Sequence, residues 1–359
     1  MLISDLITTL ENIAPPDLAA DGDTIGLQVG SRGREVRRVC VTLDVTQDII
    51  DKAVSLAPDI IVAHHPLIHT PLAAVSEDSP VGRRVTKLIR SDIALYVMHT
   101  NFDCAPGGTN DVLADLLGLT DRSPLDVSRR DPFYKIAVFV PGDHVERVRD
   151  AMAETGAGRI GMYTYCSFRT PGIGSFVPLG LAQPFIGSVG KLEEVEEYRL
   201  EMICSGSWLD EVLPAMLEAH PYEEVAYDVY ELANEPIPYG FGRVGNLKSP
   251  TTLPLFAELV RSTLEPKYMK VEGDPAKPIR RVALCSGSGS GMWNEAVKAG
   301  ADVYLTGDTK HHDILDANAA GLAIIDAGHY ETETPGMRSL ADNLRVSLAG
   351  SGVDVAYIE

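Results

Sequence analysis

Short apolar runs rich in β-branched residues recur along the chain, and several of them stop abruptly at ligand-type side chains. Runs of this length read as strands buried on both faces, whereas apolar positions three and four apart read as amphipathic helices. Ile3 to Ile13 has the helical spacing and ends before Pro15-Pro16, which cannot continue a helix. A loop through Asp23-Thr24-Ile25-Gly26-Leu27-Gln28-Val29-Gly30 follows. The pattern then predicts a strand over Val36 to Leu43, a helix over Thr46 to Leu56, a strand over Asp59 to Ala63, a helix near Val81 to Ser91 and a strand over Ile93 to Met98. Strand, helix, strand at this spacing predicts βαβ units and a parallel sheet.

From about Phe133 the pattern changes. Tyr134 to Val140 reads as a strand, Val145 to Thr155 as a helix and the Gly/Pro-punctuated Tyr163 to Val177 as a hairpin. A strand over Glu197 to Ile203, a helix over Trp208 to His220 and a strand over Val225 to Leu232 complete the order βαββαβ, the ferredoxin-like sequence of elements. Pro236-Ile237-Pro238-Tyr239-Gly240 reads as a linker. The expected fold is therefore α/β, with a pseudo-twofold core of mostly parallel sheets formed by residues 1–129 and 246–359, and an inserted ferredoxin-like α+β domain at 130–245. Within the insert, His220-Pro221-Tyr222-Glu223-Glu224 reads as a helix exit followed by an acidic loop.

The pseudo-twofold expectation comes from an internal repeat. Arg37-Arg38-Val39 aligns with Arg280-Arg281-Val282 at an offset of 243 (280 minus 37), and the same offset places Asp59 on Asp302 and His65 on Asp308. At an offset of 230 (329 minus 99), His99-Thr100-Asn101-Phe102-Asp103 lies on His329-Tyr330-Glu331-Thr332-Glu333. Each half thus has one strand that runs into ligand-type residues, Ala63-His64-His65-Pro66 or Thr306-Gly307-Asp308, and a next strand that delivers a His-x₃-Asp/Glu pair. Buried His, Asp and Glu need partners that packing does not supply, so convergence on a metal is the expected role. The four strand ends are expected at one edge of a shared sheet, where open α/β sheets bind ligands.

Imidazole plus carboxylate, with no thiolate cluster, suits zinc, iron or manganese. There are more such groups than one tetrahedral ion needs, so two divalent ions per subunit are expected. The net charge of −20, from 31 Lys+Arg against 51 Asp+Glu, opposes binding to nucleic acid and favours bound cations. Five cysteines without a CxxC pair suggest reduced thiols. The absence of a long apolar run or an export signal adds to an expectation of a cytoplasmic protein with no membrane partner.

Taken together, Ala63-His64-His65-Pro66, His99-Thr100-Asn101-Phe102-Asp103, Thr306-Gly307-Asp308 and Gly328-His329-Tyr330-Glu331-Thr332-Glu333 resemble the Nif-three-like dinuclear-metal family, whose members are named GTP cyclohydrolase 1 type 2 homologues. The likeness covers nearly the whole chain, and His220-Pro221-Tyr222-Glu223-Glu224 resembles the signature of the domain inserted in longer bacterial members. The resemblance implies that His64, His65, Asp103, His329 and Glu333 are the metal ligands, with Glu333 bridging. It also implies a toroidal homohexamer, a trimer of dimers whose sites face an internal cavity.

His99, Asp308, His312 and Glu331 are left over as candidates for proton transfer or for orienting the ligands. A metal-dependent hydrolase acting on a small-molecule substrate, such as a purine nucleotide, is the expected activity. The alternative is a metal-binding scaffold, metal-delivery or regulatory protein without turnover. Gly287-Ser288-Gly289-Ser290-Gly291 reads either as a phosphate-binding loop or as an ordinary flexible connection.

Overall fold

The structure, a computed structural model, describes residues 1–359 and divides into two compact units, residues 1–129 with 238–359 and residues 130–237. In the first unit the chain runs α1 (Ile3–Ile13), β1 (Gly26–Val29), β2 (Arg38–Thr42), α2 (Gln47–Leu56), β3 (Ile60–Ala63), α3 (Pro80–Arg90), β4 (Ala94–Val97), α4 (Thr100–Cys104), α5 (Thr109–Leu116) and β5 (Thr120–Asp131). The second unit contains β6 (Phe133–Pro141), α6 (Val145–Glu154), β7 (Ser167–Phe176), β8 (Glu193–Ser205), α7 (Leu209–Ala219) and β9 (Tyr227–Glu231). The first unit resumes with β10 (Ile237–Thr252), α8 (Leu253–Leu264), β11 (Lys270–Glu272), β12 (Pro278–Leu284), α9 (Trp293–Lys298), β13 (Val303–Thr306), α10 (His311–Ala319), β14 (Ala323–Asp326), α11 (His329–Ser347) and β15 (Asp354–Tyr357). This is a mixed α/β fold with three sheets.

The first unit holds two sheets rather than one shared sheet, in the orders β1-β4-β3-β2-β15 and β11-β14-β13-β12-β10-β5. Each has a parallel centre, β2-β3-β4 or β12-β13-β14. An antiparallel strand, β1 on β4 or β11 on β14, closes each centre on one side and keeps the two from joining there. Val39 pairs with Ile60 and Val282 with Val303, so register recurs at the offset of 243 (282 minus 39, 303 minus 60).

The ligand-bearing strand ends converge by exchange of elements. Helix α11 follows β14 of the six-stranded sheet, yet its Met337, Leu340, Ala341 and Leu344 pack with Val41, Val62 and Tyr96 of the five-stranded sheet. Conversely α5 follows β4, yet Leu113, Ala114 and Leu117 pack with Val282, Val303 and Ile325. Strands β15 and β5 complete the exchange by joining the opposite sheets. Where α5 and α11 meet, a Cβ on Gly336 would come within 2.7 Å of the Thr109 Cα, so glycine permits this contact. Burial of a leucine such as Leu340 contributes about 2 kcal/mol, and Leu340 is fully enclosed. No helix is long and apolar enough to cross a membrane.

Two local expectations change. Tyr163 to Val177 contains one strand, β7, whose antiparallel partner is β8, reached through residues 177–192. Gly174 is not a turn residue; a Cβ there would meet the Glu197 carboxylate at 2.1 Å. The presumed linker at Pro236 to Gly240 is instead the start of β10, because Gly240 allows β5 to approach so closely that a Cβ would lie 1.8 Å from the Asp126 carbonyl oxygen. The core therefore resumes at residue 238, eight residues before the expected 246 (246 minus 238).

Candidate metal centre

His64 and His65 directly follow β3, and their amides continue its ladder to Thr42 and Leu43. Strand alternation sends successive side chains apart. The fully buried His64 and the partly exposed His65 consequently offer two separated imidazoles. The two His-x₃-carboxylate pairs sit at helix starts. His99 immediately precedes α4 and His329 opens α11, so a spacing of four places Asp103 and Glu333 on the same helical faces as their histidines. The hydrophobic pattern gave no sign that either strand passes straight into a helix.

Each of four imidazoles has its Nδ1 committed. His64 Nδ1 lies 2.8 Å from the Met98 carbonyl oxygen, His65 Nδ1 2.9 Å from Asp44 Oδ1, His99 Nδ1 2.9 Å from Asp23 Oδ1 and His329 Nδ1 2.7 Å from Asp308 Oδ2. A carbonyl or carboxylate at Nδ1 selects the Nδ1–H form and leaves a lone pair on Nε2, the usual arrangement of a metal-binding histidine. His64 Nε2 has no hydrogen-bond partner although buried, and lies 3.6 Å from Asp103 Oδ1 and 3.7 Å from Glu333 Oε1. His65 Nε2 and His329 Nε2 face each other at 3.2 Å, and Glu333 Oε2 is 3.2 Å from both without the angle of a hydrogen bond to either. Two lone pairs at that separation need a proton or a cation between them.

Three groups of these side chains can each hold a metal ion: His64, Asp103 and Glu333; His65, His329 and Glu333; and His64, His65 and His99. Without a metal, protons fill the role. Burial disfavours a charge on His65, but the Asp44 and Glu333 carboxylates outweigh it and push its pKa up to about 10. The Glu333 carboxylate beside its Nε2 and the Asp308 carboxylate at its Nδ1 raise His329 to about 9 against its own burial. Burial opposes ionisation of Glu333 as well, yet His64 and the two neighbouring imidazoles hold it well below the usual carboxylate range. Burial and the nearby Glu333 charge push Asp103 upward.

Residues around these side chains fix them in place. Thr109 donates to Asp103 Oδ1 and contacts Ser286 Oγ at 2.9 Å, while Asn110 Oδ1 accepts from the Ser286 amide at 2.8 Å. These bonds join α5 to the loop after β12. In that loop Gly287 has φ +66°, and a Cβ would meet Glu333 Oε1 at 2.0 Å. The Gly287 and Gly289 amides donate to Thr332 Oγ1 and Thr306 Oγ1. With those two donors already used, the loop serves as a close wall to Glu333.

Asp308, a non-glycine residue at φ +53°, orients His329 rather than joining the cluster. His99 lies inside it, with its ring 5.1 Å from that of His64 and 5.6 Å from that of His65. Glu331 turns to the Lys267 amide at 3.4 Å, and His312 is exposed at the start of α10 beside His311. Sequence reasoning missed Asp23, Asp44, Thr109 and Ser286. Asp44 stands just past a strand end and could have been found by the rule that singled out His64 and His65; the other three carry no such signal.

Fold and cluster together define a mixed α/β protein with a largely buried histidine–carboxylate site able to hold metal. The chain belongs to the Duf34/NIF3 (NGG1p interacting factor 3) family, whose description matches residues 1–359. A protein of Bacillus subtilis (strain 168) named GTP cyclohydrolase 1 type 2 homolog is 44% identical over 325 residues, 90% of this chain and 87% of that one. The crystal structure of a Bacillus cereus protein related to NIF3 superposes with a TM-score of 0.91 at 40% identity, covering 100% of this chain and 97% of the other. A Staphylococcus aureus protein matches with a TM-score of 0.72 at 31% identity, covering 100% and 96%.

Proposed function

We propose that the cluster is a dinuclear divalent-metal centre of a hydrolase acting on a small substrate, a purine nucleotide or a related compound. In this reading His64 and Asp103 would hold one ion, His65 and His329 would hold the other, and Glu333 would serve both. The observation that carries it is the common orientation of the histidines: each Nδ1 is committed to an oxygen, and the Nε2 atoms of His64, His65 and His329 lie 3.7 Å or less from Glu333. Zinc, iron or manganese suits this donor set.

A bound pair of divalent ions supplies a water of lowered pKa and polarises a carbonyl, imine or phosphoryl oxygen. The chain's own residues do the rest. Asp44 and Asp308 keep His65 and His329 in the tautomer that offers Nε2. Thr109 holds Asp103, and Gly287 excludes any side chain from the space against Glu333. His99, backed by Asp23, is placed to carry a proton to or from the substrate at its remaining ring nitrogen. Burial and the hydrogen bonds from His99 and Thr100 act in opposite directions on Asp23, and the bonds win, holding it well below the carboxylate range. An ionised Asp23 accepts from His99 Nδ1–H at 2.9 Å and fixes the orientation of that ring. The names of the relatives agree with ring-opening hydrolysis of a purine, in which water attacks a carbon–nitrogen double bond.

We also read the two sheets of the first unit as pseudo-twofold halves, on the strength of their repeated register, and the insert as ferredoxin-like, from its strand order β7-β8-β6-β9. A cytosolic homohexamer, arranged as a trimer of dimers, is the assembly proposed. Turnover tests the activity. The metal-loaded protein should hydrolyse one member of a panel of nucleotides and phosphoesters, and His64→Ala should abolish that turnover; no turnover on any member favours a scaffold or metal-delivery role.

A further inference from the structure

The insert carries a cavity remote in character from the metal centre: aromatic, acidic and bordered by Tyr222, Glu223 and Glu224 of the one motif the metal chemistry leaves unused. Its volume is about 450 Å³, within the range of small-molecule sites. Residues two apart on a strand share a face. Val138, Val140, Leu200 and Met202 therefore turn toward α6 and α7, while Phe139, Gly174, Phe176 and Glu197 lie on the opposite, helix-free face and floor the cavity. The 177–192 connection, through Pro184 and Phe185, forms its other wall.

His220-Pro221-Tyr222-Glu223-Glu224 holds this space open. His220 Nδ1 accepts from the Tyr222 amide at 3.1 Å, so Nε2–H donates to the Phe139 carbonyl oxygen at 2.9 Å and the imidazole is neutral. The Tyr222 hydroxyl donates to Glu197 Oε1 at 2.8 Å, and Glu223 Oε1 accepts from the Gln183 amide at 2.9 Å, which ties the connecting segment down. The Tyr222 ring stands between those of Phe176 and Phe185, 6.3 Å and 6.2 Å away.

The charge inside identifies the occupant. Glu197 is 9% exposed, and its Oε2 receives no hydrogen bond; Gly174 leaves the room that atom occupies. Glu223 and Glu224 add negative charge, and no lysine or arginine lines the cavity. Inorganic cations need several oxygen ligands, which aromatic walls do not offer. Anions meet three carboxylates. A weakly hydrated organic cation satisfies both the ring faces and the unused carboxylate oxygen. One such contact already exists at the border of the floor, where the Arg199 guanidinium lies 5.7 Å from the centre of the Phe139 ring.

We propose that this cavity binds a small organic cation, an alkyl- or aryl-substituted ammonium, with Glu197 as its counter-ion and Phe176, Tyr222 and Phe185 as its cage. Titration calorimetry of the full-length protein with benzyltrimethylammonium, benzyl alcohol and benzoate tests it. The ammonium compound should bind at one per chain, at least about tenfold more tightly than neutral benzyl alcohol, because a desolvated cation–π contact with a counter-ion is worth about one such factor; benzoate should not bind. Glu197→Gln, which keeps the volume and removes the charge, should weaken ammonium binding about tenfold or more. Phe185→Ala, at a residue 55% exposed, should weaken it severalfold. Circular dichroism checks that Glu197→Gln is folded, and if it is not, Phe185→Ala decides. The proposal is overturned by absence of ammonium binding, by equal binding of the alcohol, or by wild-type affinity in the folded variants.

Discussion

At the residue scale, the cluster sets protons against metal. The neighbouring carboxylates push His65 up to about 10 and His329 up to about 9, which favours protons on this pair at neutral pH when no metal is bound. Metal binding requires their unprotonated Nε2 atoms, so it must expel those protons. Loading at pH 7 should therefore release protons from this pair, and apparent affinity should climb between pH 6 and 9. Calorimetry in buffers of different ionisation enthalpy measures the release; a pH-independent affinity would contradict the assignment of His65 and His329. Asp308→Ala removes the carboxylate from His329 Nδ1 and should lower affinity for one ion about 10- to 100-fold while the His64 half still loads. His64, His65, His99 and His329 were legible as candidates because each stands where an apolar run ends, and Asp103 and Glu333 because each follows a histidine at a spacing of four. Asp23 was not, because it lies in a loop and reaches His99 only through tertiary folding.

At the scale of elements, the metal centre depends on two helices that leave their own sheets. Leu340→Ala on α11 should destabilise the protein by about 3 kcal/mol, as expected for a fully enclosed leucine. Gly287→Ala faces two obstacles: the left-handed backbone costs about 1–2 kcal/mol, and the new Cβ would strike Glu333 Oε1 at 2.0 Å. Loss of bound metal greater than the loss of melting temperature is the expected outcome; unchanged metal content would remove Gly287 from the site. The repeat offsets made both parallel sheet centres legible, since strands β2-β3-β4 and β12-β13-β14 repeat in sequence. The exchange of α5 and α11 was not legible. An amphipathic helix shows which face it buries, not which sheet receives it.

At the scale of the molecule, the insert and the assembly can be separated. Joining residue 129 to residue 238, so that all of β10 after Ile237 is kept in its sheet, should leave a chain that folds and binds metal; failure to fold would make the insert part of the core. A net charge of −20 opposes self-association, and each divalent ion offsets two of those charges. The proposed hexamer should then dissociate more readily after chelation, most of all at low salt where screening is weak. Equal stability with and without chelator, followed by light scattering, would contradict this coupling.

The central claim is that Glu333 joins two metal positions, because it belongs both to the group with His64 and Asp103 and to the group with His65 and His329. Elemental analysis of protein reconstituted with zinc or manganese and freed of excess metal tests it most directly. Wild-type protein should carry two ions per chain, His64→Ala or His329→Ala one, and Glu333→Gln fewer than one. Two ions retained in Glu333→Gln, or none in the wild type, would contradict the account.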